Sequence, residues 1–479
     1  MRTQELQESS TTRWEHDSLG TRAVAAEAYY GIQTLRAVEN FPISGVQLSQ
    51  FPPLIRALAY IKKACALTNH ELGLLDTDRT DAIAKACDEL LAGKYKNEFV
   101  VDMIQGGAGT STNMNANEVI ANRGLEIMAH HKGEYDFLHP NDHVNMSQST
   151  NDVYPTAIKL AVLFMVDDTL AALQKLENSL NRKGKEFANV IKMGRTENQD
   201  AVPMTLGQEF EAYGVMISQS QDRLSYATKL IQEINLGATA IGTGINSPPG
   251  YAERVTEVLA ELTGIALVKA PNLVEATQDA SEYVQVSATM KRTAVQVSKI
   301  CNDLRWLSSG PRCGLGEIQL PAVQPGSSIM PGKVNPVIPE VVRQVCFQVM
   351  AGDLAVTMAA EAGELELNAF EPIIAFNLLQ GLQFLTNGCT VLRERCIDGI
   401  QANVDQCRRY VENSIGLVTA LNPVLGYERS VSLAKQALNE GESVYQLVLK
   451  NGWLSQDQLD DMLNPENMIH PRQIPPSRQ

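Results

Sequence analysis

Tyr283-Val-Gln-Val286-Ser-Ala-Thr-Met290-Lys-Arg-Thr-Ala-Val-Gln-Val297-Ser-Lys-Ile300-Cys-Asn-Asp-Leu304-Arg-Trp-Leu307 is the stretch on which the fold reading turns. Its apolar residues Tyr283, Val286, Met290, Val297, Ile300, Leu304 and Leu307 recur with the period of one helix face. Neither proline nor glycine interrupts it, and a helix of ~25 residues spans about 38 Å. A second stripe places Tyr213, Met216, Ile217, Leu224, Ala227, Ile231 and Ile234 together. A third run starts after Pro336 and Pro339, residues suited to helix entry. It continues through Val341, Val345 and Val349 into Thr357-Met-Ala-Ala-Glu-Ala-Gly363. Stripes that advance by three and four suit helices packed side by side in a bundle. No strand–helix alternation signals a doubly wound nucleotide-binding sheet. The expected fold is therefore mainly α with a central long-helix bundle, and its wide apolar faces point to self-association.

Working outward, a chain of 479 residues suits two or three domains. The character of the sequence suggests a frayed polar segment at about 1–12 and a mixed, mostly helical domain at about 13–149. The bundle follows at about 150–402, with a mobile loop near 314–333, and a small helical C-terminal domain at about 403–479. Hydrophobic residues at 44% and charged residues at 20% exclude disorder and fibres. No apolar run reaches the roughly 18 residues of a membrane span, and the first residues lack the apolar core of a signal peptide. Eight scattered cysteines without C-x-x-C pairing read as buried small hydrophobes in a reducing compartment. A cytoplasmic protein without membrane contact is expected. The net charge of −15 argues against a nucleic-acid partner. It also means that any anionic substrate needs local donors and at least one local cation.

Gly326-Ser-Ser-Ile-Met-Pro-Gly-Lys333-Val-Asn-Pro336 meets that need. It is a loop with two hydroxyls, one lysine and one amide, running straight into the third helix, a good place for a mobile catalytic element. It is not a phosphate-binding P-loop: the glycines are one residue too far apart, and Val334 stands where Ser or Thr is required. Gly242-Thr-Gly244 lacks the strand and acidic residue of a dinucleotide site. His139 and His143 have a metal-compatible spacing, but Pro140 and Asn141 argue against a helix there and no further ligand cluster follows. No metal or cofactor is expected. Singly, Ser, Thr and Asn beside glycines are ordinary turn and cap formers; the chemistry is carried by their joint appearance in separate blocks.

Those blocks resemble the aspartase/fumarase superfamily. Gly326–Pro336 matches its G-S-S-x-M-P-x-K-x-N-P signature at every specified position. Gly109-Thr-Ser-Thr-Asn-Met-Asn-Ala-Asn-Glu118, Ser147-Gln-Ser-Thr-Asn-Asp152 and Gly194-Arg-Thr196 with Gln199-Asp-Ala-Val-Pro203 are similar to its other blocks. Lys333-Val-Asn-Pro-Val-Ile-Pro-Glu340 resembles the aspartate ammonia-lyase branch, whereas fumarate hydratases usually carry Thr-Gln after that Asn-Pro.

The resemblance implies a three-part helical chain that forms a homotetramer, with each active site drawn from three subunits. It implies conversion of L-aspartate to fumarate and ammonium, with hydration of fumarate as the alternative. Proton abstraction beside a carboxylate puts charge on two carboxylate oxygens, which only preorganised donors make feasible. By motif position, Ser327 would be the base. Thr110, Ser149, Thr150 and Ser328 would hold the carboxylate that gains charge; Thr196, Lys333 and Asn335 would hold the other. Asn151 and Thr110 would face the amino group. A serine base at neutral pH needs backbone N–H donors and a nearby positive field. Glu197 stands where the family has His or Gln. It is expected near the leaving group and Glu340, with Arg343 offsetting the two carboxylates, and it would favour an amine-bearing substrate. A different amine or an N-substituted aspartate stays open on that ground.

Overall fold

The computed structural model describes residues 11–464 and Asn467. Residues 1–10 of the segment expected to fray lie outside these. In chain order, β1 (Thr12–Asp17) and β2 (Gly20–Ala25) form an antiparallel hairpin. Then come α1 (Ile32–Asn40), α2 (Pro52–Glu71), α3 (Thr77–Leu91), α4 (Thr110–Ile127) and α5 (Thr150–Glu186). A second hairpin, β3 (Ile191–Thr196) and β4 (Gln199–Thr205), leads into α6 (Leu206–Leu230). Short pieces follow: β5 (Glu233–Ile234), α7 (Tyr251–Thr263), β6 (Val268–Lys269) and α8 (Glu275–Gln278). The remaining long helices are α9 (Ser281–Leu307), α10 (Val337–Glu361) and α11 (Glu371–Arg395), with β7 (Ile318–Gln319) between the first two. The end comprises β8 (Gln401–Ala402), α12 (Val404–Asn413), α13 (Leu417–Leu425), α14 (Tyr427–Glu440), α15 (Val444–Lys450) and α16 (Gln456–Met462). The chain is mainly α, as its periodicity implies.

The α9 stripe is buried throughout, no member being more than 4% exposed. Two details differ from the sequence expectation. The stripe beginning at Tyr213 overran its helix: α6 ends at Leu230, and Ile234 lies on β5, which pairs in parallel with β6. A two-residue strand leaves no periodic trace, so a buried isoleucine reads as more helix. On α10 the phase is one residue off at the start, since Val341 is 45% exposed and Val342 is buried.

The chain forms two compact units. The first draws on residues up to Leu170, with Asp222–Arg292 and Gln348–Leu385. Its core includes Leu54, Leu58 and Ile61 of α2, Ile83 of α3, Ile120 of α4, and Val255 and Leu259 of α7, all buried. Pro155 sits inside α5. It cannot supply the N–H that the Asn151 carbonyl would otherwise accept. That carbonyl accepts instead from the Asn235 side-chain amide at 3.0 Å, so the helix continues without an orphaned acceptor.

The second unit draws on Ala171–Gln221, Thr293–Phe347 and residues from Thr386 onward. Here α5 and α6 pack at glycines: a Cβ on Gly207 would meet the Gly184 carbonyl at 2.5 Å. Leu417, Leu421, Leu433, Leu447, Val448 and Leu459 form the small C-terminal core, with Met193 of β3 packed into it. All eight cysteines are free and seven are buried as expected, but Cys313 is exposed. It lies on the irregular Gly310–Gly316 segment, where tight backbone crossings leave the side chain outside.

Candidate active site

The sequence-predicted residues fall into two sets, one in each unit. In the first unit they sit at two helix N-termini, where unpaired N–H groups and the helix dipole favour anions. Ser149 caps α5: its Oγ accepts from the Asn151 N–H at 3.2 Å, and its own N–H donates to Asp152 Oδ1 at 3.0 Å. The Asp152 carboxylate is fully buried and also accepts from the Gly237 and Thr239 N–H groups at 3.0 and 2.9 Å. Burial pushes its pKa up to about 7 against the pull of these donors. One carboxyl therefore ties the start of α5 to the 237–239 segment.

Which atoms remain available decides what these side chains can do. Thr150 Oγ1 accepts from Asn113 Nδ2 at 3.1 Å, and Ser149 Oγ likewise accepts, so both hydroxyl protons stay free to donate to a carboxylate. Thr110 differs: its hydroxyl donates to the Gly107 carbonyl at 2.7 Å, leaving lone pairs. Asn151 Nδ2 donates to the Ala240 carbonyl at 2.7 Å, leaving Oδ1 as an acceptor. This part of the site thus holds two proton donors and two acceptors, the second pair suited to an ammonium group.

Behind this surface lies a cation that the sequence reading missed. Lys62 of α2 is fully buried, and its ammonium donates to Asn145 Oδ1 and Gln148 Oε1, both at 2.8 Å. The same Asn145 oxygen accepts from Asn113 at 3.1 Å, so the chain Lys62–Asn145–Asn113–Thr150 is continuous. Burial brings the Lys62 pKa down to about 8. Asn113 lay within the quoted Gly109–Glu118 block and was legible as polar; nothing in a lone sequence marks Lys62.

The segment 140–144 corrects an expectation. Pro140–Val144 is a short π-helical turn with Pro140 as its first residue, a position where a missing N–H costs nothing. Within it the His139 N–H donates to His143 Nδ1 at 2.8 Å, while His139 Nδ1 accepts from the Asn141 N–H at 3.1 Å.

In the second unit Thr196 ends β3, and Glu197 and Asn198 form the hairpin tip, both with positive φ (54° and 60°). Thr196 and Glu197 are exposed. Glu340 does not pair with Glu197 among the described residues; its carboxylate lies 3.9 Å from Arg305. Within the chain Arg343 stacks over the Phe347 ring at 5.1 Å.

The Gly326–Pro336 loop is shaped by its ends. The Gly326 N–H donates to the Lys333 carbonyl at 2.8 Å, and Asn335 Nδ2 donates to the Gly326 carbonyl at 2.7 Å. A Cβ on Gly326 would come within 2.7 Å of the Lys333 oxygen, so only glycine allows this crossing. Inside the closed loop, Ser327 Oγ accepts from the N–H groups of Ile329 and Met330 at 3.2 and 3.0 Å. Two aligned amides aimed at one hydroxyl oxygen form a small anion nest. Ser328 and Lys333 are exposed, and the Lys333 ammonium has no partner among the described residues.

With this geometry in place, the comparisons decide the family. The family described as Lyase matches residues 20–351, and that described as Fumarase C C-terminus matches residues 417–470. The chain belongs to the aspartase/fumarase lyase family. This lyase is 57% identical over 467 residues to an aspartate ammonia-lyase of Pseudomonas aeruginosa, covering 97% of this chain and 98% of the other. A solved fumarate lyase:delta crystallin from Brucella melitensis is 55% identical with a TM-score of 0.94, covering 96% of this lyase and 100% of that chain. A class II fumarase from Schistosoma mansoni shares the fold with a TM-score of 0.90 over 95% and 99% of the two chains, but only 37% of the residues.

Proposed function

We propose that this lyase interconverts L-aspartate with fumarate and ammonia, using Ser327 as the base. The observation that carries this reading is the Ser327 nest, on a loop that matches the family signature. Two amide N–H groups at 3.2 and 3.0 Å would stabilise an alkoxide on Oγ. The Lys333 ammonium, on the same loop, would supply the positive field against the −15 background.

In the proposed reaction the Ser327 alkoxide takes a proton from the β-carbon. The electron pair spreads into the neighbouring carboxylate, which Ser149, Thr150 and Ser328 hold by donated protons. Thr196, Lys333 and Asn335 bind the α-carboxylate. The carbon–nitrogen bond then breaks, its electrons leaving with ammonia as the new double bond forms. The Ser327 hydroxyl returns its proton to solvent. Thr110 Oγ1 and Asn151 Oδ1, the two free acceptors, face the ammonium group. These acceptors and the 57% identity to an aspartate ammonia-lyase favour deamination over hydration.

A homotetramer with shared sites is part of the same reading. It is supported by the apolar outer face of α10, where Phe347, Leu354 and Met358 are 49%, 62% and 63% exposed. Among the described residues no helix is long and apolar enough to cross a membrane, and we place the enzyme in the cytoplasm. The test is a progress curve at the fumarate absorbance, started in parallel from L-aspartate and L-malate. Fumarate formed from aspartate supports the proposal; fumarate formed from malate alone replaces it with hydration.

A further inference from the structure

We infer that Glu317 is a positioning residue for this reaction, binding the hairpin arm that carries Thr196 and the root of the Ser327 loop to one rigid support. The inference rests on the function proposed above.

Glu317 is fully buried although it lies in the segment whose sequence reads as loop. Its N–H donates to the Leu307 carbonyl at the end of α9 at 2.8 Å, and its carbonyl accepts from the Asn403 N–H before α12 at 2.9 Å. The backbone is thus fixed at both ends. Its carboxylate reaches Arg195 Nη1 at 2.8 Å and Lys192 Nζ at 3.3 Å. Both cations belong to β3, whose last residue is Thr196.

The pairing extends into the helices. Lys192 also pairs with Glu209 of α6. The Tyr213 hydroxyl lies 2.8 Å from Asp303 of α9 and 3.1 Å from Glu209, with its one proton donated to one of the two, and Asp303 pairs with Lys299. Lys192, Arg195 and Lys299 balance Glu209, Asp303 and Glu317, so the network is neutral. A bulge in β3 between Met193 and Arg195 turns this strand locally. A Cβ on Gly194 there would meet the Val202 carbonyl at 2.8 Å. Bulges re-aim side chains near active sites. Here Arg195 is turned in toward Glu317 and Thr196 stays exposed at the tip.

Stability alone does not account for this arrangement. Buried ion pairs bring little net stabilisation, because desolvation offsets attraction and an uncharged pair of similar size often serves as well. What an ion pair adds is a fixed distance. Glu317 stands one residue before β7, which leads through residues 320–325 into the Ser327 loop; Arg195 directly precedes Thr196. The same carboxylate therefore sets where each arm presents its hydroxyl.

The experiment compares wild type, Glu317→Gln, Arg195→Gln, the double variant and Glu317→Asp as full-length enzymes, reading kcat and KM for L-aspartate with Tm. Each Gln single variant leaves the otherwise neutral network with one uncompensated charge and is expected to lose Tm and to raise KM at least tenfold. The double variant, with the charge removed from both sides, is expected to regain Tm while KM stays at least tenfold raised. Glu317→Asp keeps the charge but shortens the reach, and is expected to fold with KM raised several-fold. Recovery of wild-type KM together with Tm in the double variant would show a role in folding alone and overturn the inference. If the double variant does not fold, Glu317→Asp decides: wild-type KM and kcat there overturn it, and a raised KM with wild-type Tm supports it. A wild type that leaves aspartate untouched would instead overturn the proposed function.

Discussion

The side-chain amide of Asn335 donates to the backbone carbonyl of Gly326 at 2.7 Å, nine residues earlier in the chain. This contact, with the Gly326 N–H on the Lys333 carbonyl at 2.8 Å, closes the loop around Ser327. Gly326→Ala would force a Cβ to 2.7 Å from the Lys333 oxygen and 2.8 Å from the Asn335 nitrogen. The crossing must open, and the nest with it. Misplacing reacting groups by about 1 Å costs on the order of 10²-fold. We expect that loss in kcat on aspartate with Tm nearly unchanged, because the loop is exposed; steady-state kinetics and thermal melts check it.

Glu371 opens α11 as a fully buried carboxyl with Oε2 lacking a hydrogen-bond partner. Burial pushes its pKa up to about 8 despite the Lys159 ammonium. Since the folded value lies above the free value of 4.5, the fold prefers the protonated acid. That stabilisation is complete below about 4.5 and is lost as pH rises through about 8. Tm should therefore fall on going from mildly acidic to mildly alkaline buffer. Glu371→Gln, a neutral mimic of the acid, should flatten the fall. An identical pH dependence of Tm in the variant would contradict this.

Glu197 is exposed at the hairpin tip, and in the proposed reaction its carboxylate would attract the ammonium group. Glu197→His should leave Tm unchanged and raise the ammonium KM several-fold in the direction from fumarate to aspartate. Initial rates at varied ammonium concentration measure it.

Leu354 is 62% exposed on α10. In an isolated chain Leu354→Glu should be harmless, as most surface changes are. In a tetramer it buries an unpaired charge, which costs several kcal/mol. Sedimentation velocity should show smaller species for the variant, with activity lost alongside.

How much of this was legible without coordinates depended on the kind of signal. The α9 stripe was read correctly because a 3.6-residue period repeated over 27 residues leaves little ambiguity. Ile234 was not, because β5 has two residues and no period. The loop from Gly326 to Pro336 was legible through its residue types, but the amides around Ser327 Oγ were not, because they depend on the turn the backbone takes. The supporting layer was invisible. Lys62 looks like any helix lysine, and Glu317 looks like any loop glutamate. Only packing shows that both are buried, and with which partners. Within one chain Glu340 lies near Arg305, and the meeting of Glu197 with Glu340 stays an expectation for the assembled subunits.

The most direct test of the account is turnover of L-aspartate by Ser327→Ala against wild type. Removing a general base lowers rates by about 10²–10⁴-fold. The account predicts a loss of that size in kcat, with KM for aspartate changed only a few-fold because the carboxylate-binding groups remain. A variant that keeps wild-type kcat would show that the proton goes elsewhere, and the role given to the Ser327 nest would be wrong.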